Sequence, residues 1–459
     1  MSARSAAHTA LVRIASVFTT DVMVLGFGLV NTVLATRILG PSGRGVVVLA
    51  TNTAMMVQTF ATLGLPWAIN YEAARSRTDR DLRRHVTWLM VRNIPLAIGI
   101  WAIAYALVAA LRHTAALGNL AMPILALSAS FSMLVLLRQL GTRYLGGLHD
   151  FKSRNAVSIL GPGLVALCLI ANLIVRVRLT PEFVLWLNVA GGVLAVTYAV
   201  VLLNRSHGVF PARYSANGTS NRDFRIYGAK FSAGLIAQVL NYRLDAFIVN
   251  AMMGVRHVGI YATSVSVSEL LLLVPTAVNV VMYPTITAIR GDQRNRVTLL
   301  ATGATMYGVG LLGIVWALLA DPIIRVLFGS AFTESAGPAR WLIPGMLAIG
   351  IVRVLCHAAA GAGHPEVLTY TTFAGLAFTI PLDLVLIPRI GVLGAALAST
   401  IAYSVSALMA VYLYGKVTDQ NSLRVWSHLF RDPLVRAIRA VGARRYPGRP
   451  PGSEGETTG

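Results

Sequence analysis

At 459 residues the chain is 56% hydrophobic and only 12% charged, with a mean hydropathy of +0.66; soluble domains carry about a quarter charged residues. That excludes a conventional soluble domain and points to an integral membrane protein. A net charge of +21 would mark a nucleic-acid binder in a soluble chain, but here its distribution follows a membrane topology.

From the N-terminus, MSARSAAHTALVRIASVFTTDVMVLGFGLV combines a basic end with an apolar run, the outline of a cleaved signal peptide. Asp21 interrupts that run, no small-residue cleavage site leads into polar sequence, and apolar residues continue, so the segment is read as the first membrane span. Six runs able to cross about 30 Å of hydrocarbon as helices of roughly 20 residues lie at 14–36, 46–68, 86–110, 117–140, 156–175 and 182–203. Six more follow at 228–250, 258–282, 298–319, 339–360, 367–387 and 392–414. The expected fold is all-α with twelve transmembrane helices, since the short alternating segments of a membrane barrel are missing. Glycine and proline within the runs, such as Gly161, Pro162, Pro275 and Pro344, are tolerable where neighbouring helices satisfy freed backbone groups.

Between the first two spans, TRILGPSGRGVVVLATNTAM (Thr36–Met55) carries a glycine-rich turn, and VNAMMGVRHVGIYATSVSVS (Val249–Ser268) repeats its layout. An offset of 214 residues superposes Gly40 on Gly254, Gly45 on Gly259, Asn31 on Asp245 and Gly147 on Gly361; an offset of 215 places His149 on His364. The four turn glycines are read as structural. Six spans per half is an even number, so both halves start on one side and the pseudo-repeat is parallel, about an axis along the membrane normal. Two six-helix lobes, 1–204 and 227–414, would face each other across a cavity, joined by a cytoplasmic linker at 205–226 lying over the membrane surface and followed by a basic tail at 415–459. In that tail Val425, Leu429, Leu434 and Ile438 interleave with arginines, the pattern of an interfacial helix on anionic lipid. From Pro447 onward the composition predicts disorder.

With both termini cytoplasmic, 28 of the 39 basic residues fall on inside segments, Arg138 among them, and nine on outside segments, Arg44 among them; Arg243 and Arg353 lie within spans. The positive-inside rule then sets the orientation. The expected location is the inner (plasma) membrane, multi-pass, with no nucleic-acid partner.

A charge at mid-membrane costs roughly 2.5 to 3.5 kcal/mol on insertion scales, so those present should face the bundle interior. In QVLNYRLDAFIVN, Arg243 and Asp245 are two apart and point to different faces of a helix. Arg243 is a candidate substrate-binding residue, and Asp245 a structural one. Glu269, near the centre of the eighth span, and Asp21, two turns into the first, are candidates for ion or proton coupling, with pairing to an arginine the alternative for each. Arg353 shares a helix face with His357; it is a second candidate for substrate, with snorkelling the alternative, while His357 is read as a hydrogen-bonding group near the mouth. Asp383 is set aside as lying within a turn of the outer interface. Cys168 and Cys356 sit in different halves and suggest neither disulfide nor metal site. Phosphate-cradling, H-E-x-x-H and G-x-S-x-G motifs are missing, so no cofactor, metal or enzymatic activity is expected.

The segment TRILGPSGRGVVVLATNTAMMVQTFATLGLPWAINYEAARS resembles the first two spans of the polysaccharide transporter family, the lipid-linked oligosaccharide flippases of the multidrug/oligosaccharidyl-lipid/polysaccharide exporter superfamily. YGAKFSAGLIAQVLNYRLDAFIVNAMMGVRHVGIYATSVSVSELLLLVPTAVNVVMYPTITA is similar to its seventh and eighth spans, and GAGHPEVLTY and IPRIGVLGAALASTIAYSV to its last connectors. The resemblance implies a V-shaped bundle of two lobes that moves an undecaprenyl-pyrophosphate-linked oligosaccharide between leaflets. It also implies glycosyltransferases and a glycan polymerase as partners. The related lipid II flippases add spans after the twelfth, where this chain has a polar tail. Arg243 suits such cargo because a guanidinium offers bidentate donors to phosphate. A cation-coupled drug exporter of the same superfamily is the alternative, and would favour a cavity of acids and aromatics. A non-transporting assembly scaffold would tolerate charge removal at Arg243 and Glu269; a membrane glycosyl or acyl transferase would need catalytic acids or histidines at a membrane face.

Overall fold

A computed structural model describes residues 3–117, 120–208, 212–215, 218–279 and 292–420. Among these residues the chain is helical, with no strand. The first half comprises α1 (Ala3–Thr62), α2 (Leu65–Arg75), α3 (Arg80–Leu111), α4 (Met122–Gly147), α5 (Phe151–Val175) and α6 (Pro181–His207). The second comprises α7 (Asn221–Met253), α8 (Val255–Ser268), α9 (Asp292–Phe328), α10 (Ala336–Gly361), α11 (Glu366–Ile390) and α12 (Val392–Val417). A 3-10 turn at Glu269–Leu272 leads from α8 into a helical stretch at 273–279.

Each predicted span overlaps a helix, yet by length and apolarity ten helices among the described residues could cross a membrane. The difference from twelve has two sources. Helix α1 runs through the first predicted span and most of the second as one kinked element, and α7 is made too polar by Gln238, Asn241, Arg243 and Asp245. The kink is at Gly40, with φ 66°, a conformation that costs glycine little. Pro41 then opens the second arm, where its missing N–H is not needed.

The helix ends gather at two poles. At the first, Asn250 donates through Nδ2 to the carbonyls of Ala115 (3.0 Å) and Ala116 (2.9 Å), and Arg256 forms a forked pair with Glu334. Gly40 and Gly254 lie at this glycine-turn end. At the other, the linker end, Asn70 donates to the Arg143 carbonyl at 3.0 Å and His207 meets Asp150 at 2.9 Å.

Two turns at the linker end share their backbone pattern. His149 (φ 61°) follows α4, with the N–H of Asp150 donating to the Leu145 carbonyl at 3.0 Å. Gly363 (φ 96°) follows α10, with the N–H of His364 donating to the Ala359 carbonyl at 2.9 Å. The matching offset is 214, so His149 corresponds to Gly363 and not, as expected, to His364. The left-handed residue fixes the register of such a turn, and the kind of side chain there does not.

One apolar cluster spans both halves, where Leu49, Leu169 and Leu185 are joined with Val249, Leu355 and Val411. A second cluster fills the linker end of the first half and takes in Phe224 of α7, with Tyr227 packed against it. The first turns of α7 therefore pack on the first half. The irregular linker is also shorter than predicted, because α6 extends to His207 and Ser220 caps α7 by accepting from the Asp223 N–H at 3.2 Å. Part of this linker folds onto α3: the Ser215 N–H donates to Nδ1 of the buried His85 at 3.0 Å, and His85 Nε2 meets the Thr219 carbonyl at 2.9 Å. The predicted interfacial helix of the tail and its disordered end lie outside the described residues.

Candidate functional site

At the glycine-turn end the second arm of α1 crosses α8. A Cβ built on Gly45 would lie 2.0 Å from the Val255 carbonyl oxygen, and one on Gly259 would lie 1.9 Å from that of Pro41. The helices touch backbone to backbone, which only small residues allow. Gly40 (φ 66°, ψ −179°) and Gly254 (φ 85°, ψ 171°) hold the two turns in nearly the same conformation, a region of the map essentially reserved for glycine. Gly40 and Gly254 thus hold positive φ, and Gly45 and Gly259 leave no space for a Cβ.

Behind this crossing lies a cavity of about 390 Å³, walled by α1, α4, α5, α6, α7, α8 and the 3-10 turn. Three arginines line it: Arg44 from α1, Arg138 from α4 and Arg243 from α7. Arg243 Nη2 is 3.9 Å from Glu269 Oε1, a loose pair with both side chains open to the cavity. Arg44 is half-buried and donates through Nη2 to Ser266 Oγ at 3.3 Å, while its buried Nε has no partner among the described residues. Arg138 has neither a hydrogen-bond nor an ion-pair partner among them. Asp245 also reaches the lining, but its carboxylate accepts from Tyr261 Oη, from the Ala246 N–H at 2.8 Å and from Ser399 Oγ at 3.3 Å. The cavity therefore holds three guanidinium groups and two carboxylates, Asp245 tied to its neighbours by hydrogen bonds and Glu269 in the loose pair with Arg243.

The predicted site residues separate accordingly. Arg243 and Glu269 meet in the cavity. Asp21 instead pairs with Arg154 at 3.6 Å, tying α1 to α5 away from the lining. Arg353 does not line the cavity; it lies on α10 near Tyr242, whose ring does, and its own carbonyl faces Nδ1 of His357 at 2.5 Å. Arg44 and Arg138, which the topology puts on an outside and an inside segment, both line the cavity. One signal was available: at an offset of 214 they stand opposite Val258 and Val352, arginine against an aliphatic residue in the other half.

Asp383 also departs from its expected place. It is fully buried, and neither carboxylate oxygen has a hydrogen-bond partner among the described residues. Helix α11 continues to Ile390, so Asp383 lies about two turns from the helix end and not one. Thr379, one turn earlier, donates to Oδ1 of Asn241, which in turn lies one turn before Asp245. The parallel helices α7 and α11 thus bring Asp245 and Asp383 to one level, beside Tyr261 and Ser399.

Residues 11–290, more than half of the chain, match the polysaccharide biosynthesis protein family. The chain is 30% identical over 175 residues to the probable flippase AglR of Haloferax volcanii, a stretch that covers 37% of each protein. It is 23% identical over 112 residues to an uncharacterized membrane protein of Methanocaldococcus jannaschii, covering 24% of this chain and 22% of that one. Both alignments span well under two thirds of the relative. Among solved structures, the lipid II flippase MurJ in an inward closed conformation superposes with a TM-score of 0.69 at 12% identity, over 93% of this chain and 99% of that one. An inward-facing multidrug resistance MATE family transporter of the MOP superfamily gives 0.68 at 14% identity, over 88% and 95%. At such identities the likeness is one of fold. With its family match over residues 11–290 and this helical architecture, the chain belongs to the polysaccharide biosynthesis protein family and has the fold of MOP-superfamily membrane transporters.

Proposed function

We propose that the chain is a flippase that carries an undecaprenyl-pyrophosphate-linked oligosaccharide from the cytoplasmic to the outer leaflet, for cell-surface polysaccharide synthesis. The observation that carries this reading is the charge of the cavity, where Arg44, Arg138 and Arg243 outnumber two carboxylates, Glu269 and the hydrogen-bonded Asp245. Three permanent cations in a site of low dielectric are costly when empty and suit a pyrophosphate. The two halves act as six-helix lobes with twelve crossings in all, and their rocking exposes the cavity to each side in turn. Its partners are the glycosyltransferases and polymerase that make and use the glycan, and anionic lipid at the basic tail.

In this reading the glycine-turn end faces outward and the linker end faces the cytoplasm, in an inner membrane. Ser330 and Arg213 are exposed at opposite ends. Ser330→Cys should react with a membrane-impermeant maleimide in intact cells, and Arg213→Cys only after permeabilisation; the reverse pattern would refute the orientation.

Coupling is placed at Asp245 and Asp383. Glu269 and Asp21 each have an arginine partner, whereas Asp245 and Asp383 form no ion pair among the described residues, which invites a proton or small cation. The acid pair and the resemblance in fold to a multidrug transporter favour a second reading, a cation-coupled drug exporter. One experiment separates the two. Purified protein in liposomes should move a fluorescent undecaprenyl-pyrophosphate-linked sugar across the bilayer, faster under an imposed proton or sodium gradient, and Asp383→Asn should remove that acceleration. Transport of cationic dyes without movement of the lipid-linked sugar would establish the exporter instead.

A further inference from the structure

Two adjacent residues of α1 touch different parts of the molecule. Gly45 makes the backbone contact with α8 that closes the glycine-turn end, and Arg44 reaches from the same turn of helix into the cavity. There it donates to Ser266 Oγ at 3.3 Å, two turns along α8 from Gly259. Arg44 therefore ties together the two helices that Gly45 and Gly259 press into contact. The tie is weak in kind. Its acceptor is a neutral hydroxyl, the Arg44 Nε is buried without a partner, and Arg243 is a second cation close by.

We propose that Arg44 is the residue through which cargo acts on the outer closure, an inference that rests on the pyrophosphate reading above. Hydrogen bonds from a guanidinium to an ionised oxygen are roughly twice as strong as those to a neutral one. A pyrophosphate between Arg44 and Arg243 would draw the Arg44 guanidinium off Ser266, relieve the repulsion between the two cations and remove a bond that holds α1 to α8. The empty cavity then keeps the outer end shut and the loaded cavity releases it. The glycine contact has no side chain by which cargo could act on it, so the neighbouring arginine supplies the link. Arg44 on this view both touches the anion and passes its presence to the closure, while Arg138 and Arg243 supply the rest of the hold.

The test uses full-length protein in lipid nanodiscs, with Cys168→Ser and Cys356→Ala as background and spin labels at Arg178→Cys and Ser330→Cys, exposed sites in the connections between helices of the two halves. Undecaprenyl pyrophosphate, but not undecaprenol, should raise the long-distance population about threefold or more, the size of change a modest difference in affinity between two states produces. In Arg44→Ala that response should vanish while affinity for undecaprenyl pyrophosphate falls by no more than about tenfold, since two arginines remain. Ser266→Ala should lengthen the distance without ligand and leave affinity unchanged, a result that loss of Arg44 from a purely binding role would not predict. A normal ligand response in Arg44→Ala overturns the proposal. If that variant fails to fold, Ser266→Ala decides, and a ligand-free distribution identical to the parent overturns it. A parent protein that does not bind undecaprenyl pyrophosphate overturns the functional reading as well; one that binds it while Arg44→Ala still opens overturns only the role of Arg44.

Discussion

Arg243→Ala is expected to abolish transport while the protein remains inserted and abundant. A guanidinium can give two donors to a phosphate, and each hydrogen bond to a charged group contributes about 1.5 to 3 kcal/mol, so a loss of about 100-fold or more is expected from the cargo side. The folded protein should tolerate the change, because the Arg243 to Glu269 pair is 3.9 Å long and both side chains are open to the cavity. Arg243→Lys keeps the charge without the planar fork, and partial activity, reduced about tenfold, is the expected result. Asp245→Ala should behave differently. Its carboxylate holds Tyr261, Ser399 and the Ala246 N–H in a buried cluster, so abundance should fall first. Accumulation of lipid-linked glycan on the cytoplasmic leaflet, at matched protein levels, measures all three. Full activity of Arg243→Ala would remove its phosphate-binding role.

Gly45→Ala and Gly259→Ala should each disable the protein by a different route. The added carbon would sit 2.0 Å or 1.9 Å from a carbonyl oxygen of the opposite helix, and helices packed through small residues cannot yield by that much without separating. Both variants should lose transport and unfold at lower temperature in detergent. Gly40→Ala and Gly254→Ala supply the contrast, since a Cβ at either position meets nothing within 4 Å. They carry only the backbone cost of an unfavourable dihedral region, about 1 to 3 kcal/mol, and should retain transport with reduced thermal stability. Wild-type transport by Gly45→Ala would mean that α1 and α8 do not cross at this point.

Several features were legible in the chain because they depend on neighbours in sequence. Membrane class and helix positions follow from apolar length. The glycine turns are visible because a Gly-x-x-x-x-Gly pattern recurs at an offset of 214, and Arg243 because a charge inside a span is conspicuous. Arg44 and Arg138 stand at the margins of predicted spans, where an arginine reads as a topological signal; only the rotation of α1 and α4 against the other helices turns them into the cavity. The apolar run ends before the helix that carries Asp383 does, and nothing in the spacing of residues tells that α7 and α11 run side by side with Asp245 at its level. The offset at His149 was ambiguous by one residue because side-chain identity does not report φ. Apolar runs and the left-handed glycines Gly40 and Gly254 act through local backbone and solvent, so sequence alone determined them, whereas the need for Gly45 and Gly259 comes from the opposite helix. The facing of a charge, its partner and the helix it serves depend on which surfaces pack together, and those only the tertiary structure decided.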